Sequence, residues 1–79
     1  MDNNKKYSTA FSSTFSISED KLDKLEYNTI DEWDSIGHMT LIAELEQQFD
    51  ISIETDDVID FSSYKKGKEI LKKYGVELN

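Results

Sequence analysis

No proline interrupts the 79-residue chain and only three glycines occur in it. Continuous backbone hydrogen bonding is therefore available over long stretches, and a charged, periodic sequence of this kind favours helices joined by polar turns. Tyr7, Phe11, Thr14 and Phe15 share one face of a helix from about Asn4 to Phe15, with Asp2, Asn3 or Asn4 as its cap. The clearest helix runs from Ser35 to near Asp50. Taking about 100° per residue from Ile36, the residues Leu41, Ile42, Leu45 and Phe49 fall in a core sector of roughly 140° to 240°. His38 falls near 200° with them, as a packed or capping histidine would. Ile36, Met39 and Ala43 cluster on a second side, a stripe that a helix with one core face does not need.

The remaining segments follow the same logic. Residues 16–34 carry isolated apolar anchors, Ile17, Leu22, Leu25, Ile30 and Trp33, and read as a long loop with a short helical turn capped by Ser18. Loops beyond about 12 to 15 residues are uncommon in small domains and often functional. After an extended Ile51-Ser52-Ile53, Thr55 or Asp56 caps a short helix bearing Val58, Ile59 and Phe61. Ser62 or Ser63 starts the last helix, in which Tyr64, Ile70, Leu71 and Tyr74 face inward and the lysines outward, and Gly75 stops it. The expected fold is an all-α, small four-helix bundle, three longer helices plus one short helix, with a long first loop. It forms a single domain over residues 1–79, with Phe11, Phe15, Leu41, Leu45, Phe49, Val58, Leu71 and Tyr74 lining the core.

Composition removes several functions. With no cysteine there is no thiol nucleophile and no thiolate metal site, and the single histidine, His38, makes a histidine-based zinc site hard to build. All nine basic residues are lysines against 17 acidic ones, a net charge of −8, so the bidentate arginine fork that reads bases is missing and nucleic acid is not an expected partner. The longest wholly apolar run, Leu41 to Ala43, falls far short of the roughly 20 residues a membrane span needs. The polar start, MDNNKKYSTAF, lacks the apolar centre of a secretory signal. A cytoplasmic, monomeric, acidic domain with basic protein partners is expected.

Asp34-Ser35-Ile36 stands where the acidic loop meets the best helix. In the plainest reading Ser35 is an N-cap contributing about 1 kcal/mol. The same place also favours phosphate, because a helix N-terminus presents unpaired N–H groups and a partial positive charge. A serine there can carry a phosphate ester at low electrostatic cost.

The residues around it resemble the acyl carrier protein family. An Asp-Ser-Ile motif opens the second helix, Leu45-Glu46-Gln47-Gln48-Phe49 closes its apolar stretch, and Thr55-Asp56-Asp57-Val58 forms an acidic turn downstream. The resemblance implies that Ser35 is the attachment point for 4′-phosphopantetheine, transferred from coenzyme A by a magnesium-dependent phosphopantetheinyl transferase. It implies that Asp34 helps to hold the magnesium and coenzyme A phosphates, besides favouring the positive helix end. The chain would itself be no enzyme. Its arm would hold an acyl or aminoacyl group as a thioester and present it to a loading ligase and downstream acyltransferases.

For such a carrier the stripe Ile36, Met39 and Ala43, flanked by Glu44 and Glu46, would form a shallow docking strip for partners with basic rims; otherwise it packs against Trp33 or the first loop. Family members often have acidic residues where Gly37 and Thr40 stand, and another where Gln47 or Gln48 stands. The less acidic helix, with the runs from Trp33 to Met39 and from Asp60 to Tyr64, points away from housekeeping fatty-acid synthesis and towards a discrete carrier of a specialised pathway, such as polysaccharide or polyketide-like secondary-metabolite assembly. An aromatic core would favour short or polar cargo. The main alternative is a non-enzymatic acidic adaptor docking basic partners through the same strip, with Ser35 unmodified. A calcium-binding helical domain fits less well, because the acidic stretch from Glu54 to Asp60 has no central glycine.

Overall fold

The computed structural model of the chain describes residues 2–78. Four α-helices follow in order: α1 (Asn3–Phe15), α2 (Ser35–Phe49), α3 (Thr55–Asp60) and α4 (Tyr64–Lys72). A 3-10 turn (Glu19–Lys24) lies within the long first loop. The expected bundle of three longer helices and one short one is therefore present.

Capping shows why each helix starts where it does. Asp2 caps α1, its carboxylate accepting from the Lys5 N–H at 2.8 Å. Ser63 caps α4 by accepting from Lys66 N–H. Two expected caps are corrected. Ser18 occupies the cap position of the 3-10 turn but its side chain makes no capping bond; instead Glu19 ties the turn to α1 through Lys5 and the Ser8 hydroxyl. Neither Thr55 nor Asp56 caps α3: Glu54 holds that position without a side-chain bond, and α3 is secured from its other side. The Asp57 carboxylate accepts from the Lys73 ammonium and the Tyr74 hydroxyl, and that hydroxyl in turn accepts from Glu54 N–H at 3.0 Å. α1 and α2 end on Ser16 and Asp50, both in the left-handed region, and Gly75 turns the chain after α4 at φ 83°.

The core is an aromatic stack. Tyr7, Phe11 and Phe15 of α1 meet Trp33 of the first loop, Phe61 after α3 and Tyr64 of α4, all buried. Phe15 stacks on Trp33 with ring centres 5.3 Å apart, and Phe11 meets Trp33 edge-on at 5.5 Å; such pairs are favourable beyond the area they bury. Tyr7 is buried and its hydroxyl donates to the Tyr64 carbonyl at 2.6 Å. Burial drives the Tyr7 phenol far above its ordinary titration range. Leu41, Leu45 and Leu71 complete the core as expected, whereas Phe49, Val58 and Tyr74 are only partly buried. Leu22, Leu25 and Trp33, which the sequence presents only as loop anchors, are as deeply buried as the helical residues.

The first loop is held to α4 by backbone pairing. Glu26 and Ser63 form an isolated antiparallel bridge, with Tyr27 N–H donating to Ser62 O and Tyr64 N–H to Leu25 O. These bonds tie residues 25–27 of the loop to the start of α4.

Candidate functional site

Three consecutive residues divide the labour at the start of α2. Trp33 is fully buried and anchors the end of the loop. Asp34, extended, is the N-cap, its Oδ1 accepting from Gly37 N–H at 2.8 Å. Ser35 is the first helical residue and is exposed. The reading of Ser35 as the cap is thus corrected by one residue. A carboxylate at the cap satisfies the first-turn donor and leaves the serine hydroxyl without a hydrogen-bond partner among the described residues.

The first turn of α2 lies unusually close to the loop that feeds it. A Cβ at Gly37 would collide with the Glu32 carbonyl oxygen and sit 3.3 Å from the Phe15 ring. Only glycine permits this approach. The departure from an acidic residue at position 37 therefore has a packing cause: any side chain would push the 31–34 segment away from α2.

His38, one turn into α2, is a bridge. Its Nδ1 accepts from the Trp33 indole N–H at 2.9 Å, and its Nε2 lies 2.7 Å from the Val58 carbonyl. An indole nitrogen only donates and a carbonyl only accepts, so the ring is the neutral tautomer with its proton on Nε2. Both nitrogens are engaged, which leaves no basic lone pair for proton transfer. The expected packed role of His38 holds, and sequence missed only its partners, which lie in the loop before it and on α3.

The second stripe of α2 is open. Ile36 is 77% exposed and Met39 55% exposed, and Ala43 is exposed beside them. The stripe does not pack against Trp33, whose ring is enclosed by Phe11, Phe15 and His38. The two flanking carboxylates differ. Glu44 accepts from the Gln48 amide one turn on, whereas Glu46 accepts from Ile53 N–H at 2.8 Å and so braces the segment entering α3. Only Glu44 is left as a surface charge; Glu46 is partly committed to the fold.

The first turn of α2 offers an exposed, unpaired hydroxyl beside a helix N-terminus whose capping demand is met by Asp34. That is chemically suited to carrying an esterified phosphate. Residues 32–66, the stretch that runs from this loop through α2 and α3 into α4, match the family model of the phosphopantetheine attachment site. That site is where the 4′-phosphopantetheine prosthetic group is attached, and the match is consistent with the acyl carrier resemblance. No curated protein and no solved structure matches the chain.

Proposed function

We infer, from the phosphopantetheine attachment family matched by residues 32–66, that this protein is an acyl or aminoacyl carrier whose arm is esterified to Ser35. The observation that carries the reading is the free, exposed Ser35 hydroxyl, with Asp34 and not Ser35 acting as the cap. The unmodified adaptor needs no such arrangement, and a capping serine would have served it equally well.

The residues fit the group. The positive end of α2 at Ser35 would favour the phosphodiester anion of the arm. Asp34 uses Oδ1 for the cap, and its second carboxylate oxygen is available to a magnesium ion shared with coenzyme A. As the new oxygen–phosphorus bond forms, with the pyrophosphate bond of coenzyme A breaking and the adenosine bisphosphate leaving, the Ser35 proton passes to a base. His38, with both ring nitrogens engaged in the fold, is not that base, and the role is assigned to the transferase. The group supplies the thiol that a cysteine-free chain lacks. Tethering there raises the effective concentration of cargo at each docked active site.

Ile36, Met39 and Ala43, with Glu44 at their edge, form the docking strip for the transferase, the loading ligase and downstream acyltransferases. Apolar contact gives the patch its affinity, and the surrounding carboxylates raise the encounter rate with basic rims. The aromatic filling of the core and the reduced acidity of α2 favour short or polar cargo in a specialised pathway, handled by a monomeric carrier in the cytoplasm. Incubation with coenzyme A, magnesium and a promiscuous phosphopantetheinyl transferase should add about 340 Da at Ser35, and nothing in Ser35→Ala. An unchanged mass in the native chain would leave the adaptor reading standing.

A further inference from the structure

Four large apolar side chains are exposed among the described residues: Tyr27, Ile36, Met39 and Ile59. Ile36 and Met39 belong to the strip on α2. Tyr27 and Ile59, the latter 73% exposed, belong to a different surface, a shallow groove of about 260 Å³ lined by Tyr27, His38, Ile59, Phe61 and Ser62. On the projection of α2 used above, Ser35 falls at about 260°, between His38 near 200° and Met39 at about 300°. The serine therefore stands on the ridge between groove and strip. We propose that Tyr27, Ile59 and Phe61 form a resting groove for the acylated end of the arm, and that this groove selects short, uncharged acyl groups. The inference rests on the reading of Ser35 as the attachment point and adds a cargo class to it.

Reach, charge and packing all favour this occupant. His38, which lines the groove, is three residues from Ser35, about 4.5 Å along the helix axis, so an arm with two amide units and a cysteamine end spans the gap. No lysine, aspartate or glutamate lines the groove. His38 turns one ring nitrogen to Trp33 and the other to the Val58 carbonyl, so it offers the groove ring carbons and no hydrogen-bonding nitrogen. A carboxylate seated there would lose water and gain no charged partner. Each methylene moved out of water, in contrast, favours the seated form by about fourfold. The interior of the bundle is already filled: the ring of Tyr64 lies 4.8 Å from that of Tyr7 and 4.9 Å from that of Phe11, and Phe11 lies 5.5 Å from Trp33. Cargo enters the core only by displacing these rings, and a short chain finds its apolar surface outside, between the first loop and α3. Because strip and groove lie on opposite sides of Ser35, a partner seated on Ile36 and Met39 leaves the resting cargo in place until its own active site binds that cargo more strongly.

The test uses the full chain loaded by a promiscuous phosphopantetheinyl transferase with butyryl- or succinyl-coenzyme A, whose acyl groups have the same number of carbons but end in a methyl and a carboxylate. In nuclear magnetic resonance spectra the butyryl methyl should show through-space contacts with the Ile59 methyls and the Tyr27 ring, and the succinyl group none. Hydroxylamine should cleave the butyryl thioester about two- to tenfold faster in Ile59→Ser than in the native chain, with the native rate restored in Ile59→Leu, while succinyl cleavage should be equal in all three. Ile59 is exposed, so its variants keep the fold, which matching unfolding midpoints would verify. Butyryl contacts with Leu41, Leu45 and Leu71 would place the cargo in the core, and contacts with Ile36 and Met39 would place it on the strip; either result overturns the groove, as does an unchanged cleavage rate in Ile59→Ser. Succinyl contacts equal to those of butyryl overturn the selectivity. A chain that is loaded but shows no contacts overturns the groove alone and leaves that surface to a partner's apolar side chain. A chain that gains no mass overturns the attachment reading, and the groove inference falls with it.

Discussion

Asp34 shows how much one position can carry. Its carboxylate closes the first turn of α2 through Gly37 N–H and is also the proposed oxygen ligand for magnesium, and two substitutions separate these roles. Asp34→Ala should lower stability by about 1 kcal/mol in urea unfolding, the worth of a cap, and slow modification of Ser35. Asp34→Asn retains a good cap, so its unfolding midpoint should stay near the native one while transfer from coenzyme A still slows. Equal transfer rates for the Asp34→Asn variant and the native chain would remove the magnesium role and leave only the cap. Gly37→Ala should destabilise by about 1–3 kcal/mol, the usual cost of overpacking, because its Cβ would collide with the Glu32 carbonyl. The motif itself was legible from sequence, since an acidic residue before a serine opening an amphipathic helix is a local pattern. Which of the two caps the helix was not, because both residue types are good caps and the choice depends on how buried Trp33 orients the backbone that follows.

Among the elements, α3 is the one least able to stand alone. Its 6 residues have no side-chain cap, and the Asp57 link to Lys73 and Tyr74 holds it to the end of α4. The Lys73 ammonium and then the Tyr74 hydroxyl hold the Asp57 carboxyl below the usual carboxylate range. A lowered native value means that the contribution of Asp57 to stability is complete above its unfolded value of about 3.9 and is lost as the pH falls through the native one. Thermal unfolding of the native chain and of Asp57→Asn should therefore differ most near neutrality and converge below about pH 4. α1 and α2 end differently, on non-glycine residues in the left-handed region, Ser16 and Asp50. Asp50→Gly should raise stability by up to about 1 kcal/mol in the same assay. Helix positions were readable from apolar spacing, but α3 was read with the wrong cap, and Ser18, at the cap position of the 3-10 turn, makes no capping bond. Short elements are decided by what they dock against, here Glu19 on Lys5 and Ser8 and Asp57 on Lys73 and Tyr74, and no local pattern announces partners that far along the chain.

The whole molecule is electrically lopsided. Residues 25–64 contain eleven of the 17 acidic residues and none of the nine lysines, which fall on the start of α1, the 3-10 turn, and α4 with the residue that follows it. The proposed attachment serine lies within the acidic stretch, so a partner with a basic rim is drawn to the part of the chain that bears the arm. Association with such partners should weaken as salt rises, chiefly through a slower on-rate. Ile36→Ala and Met39→Ala should reduce docking while leaving unfolding within about 0.5 kcal/mol of the native chain, because both side chains are exposed. Loss of stability in these variants would mean that the strip is part of the fold and not a meeting surface.

Sequence alone determined the helical class, the positions of the longer helices, the Asp34-Ser35 motif and the absence of any thiol in the polypeptide, because spacing, turn residues and composition act over a few neighbours. Tertiary structure decided which residue caps α2, why position 37 must be glycine, that Glu46 braces the backbone at Ile53, and that His38 joins Trp33 to Val58. These depend on groups brought together from separate segments, and a hydrogen bond or a steric limit exists only once the folded backbone has set the distance.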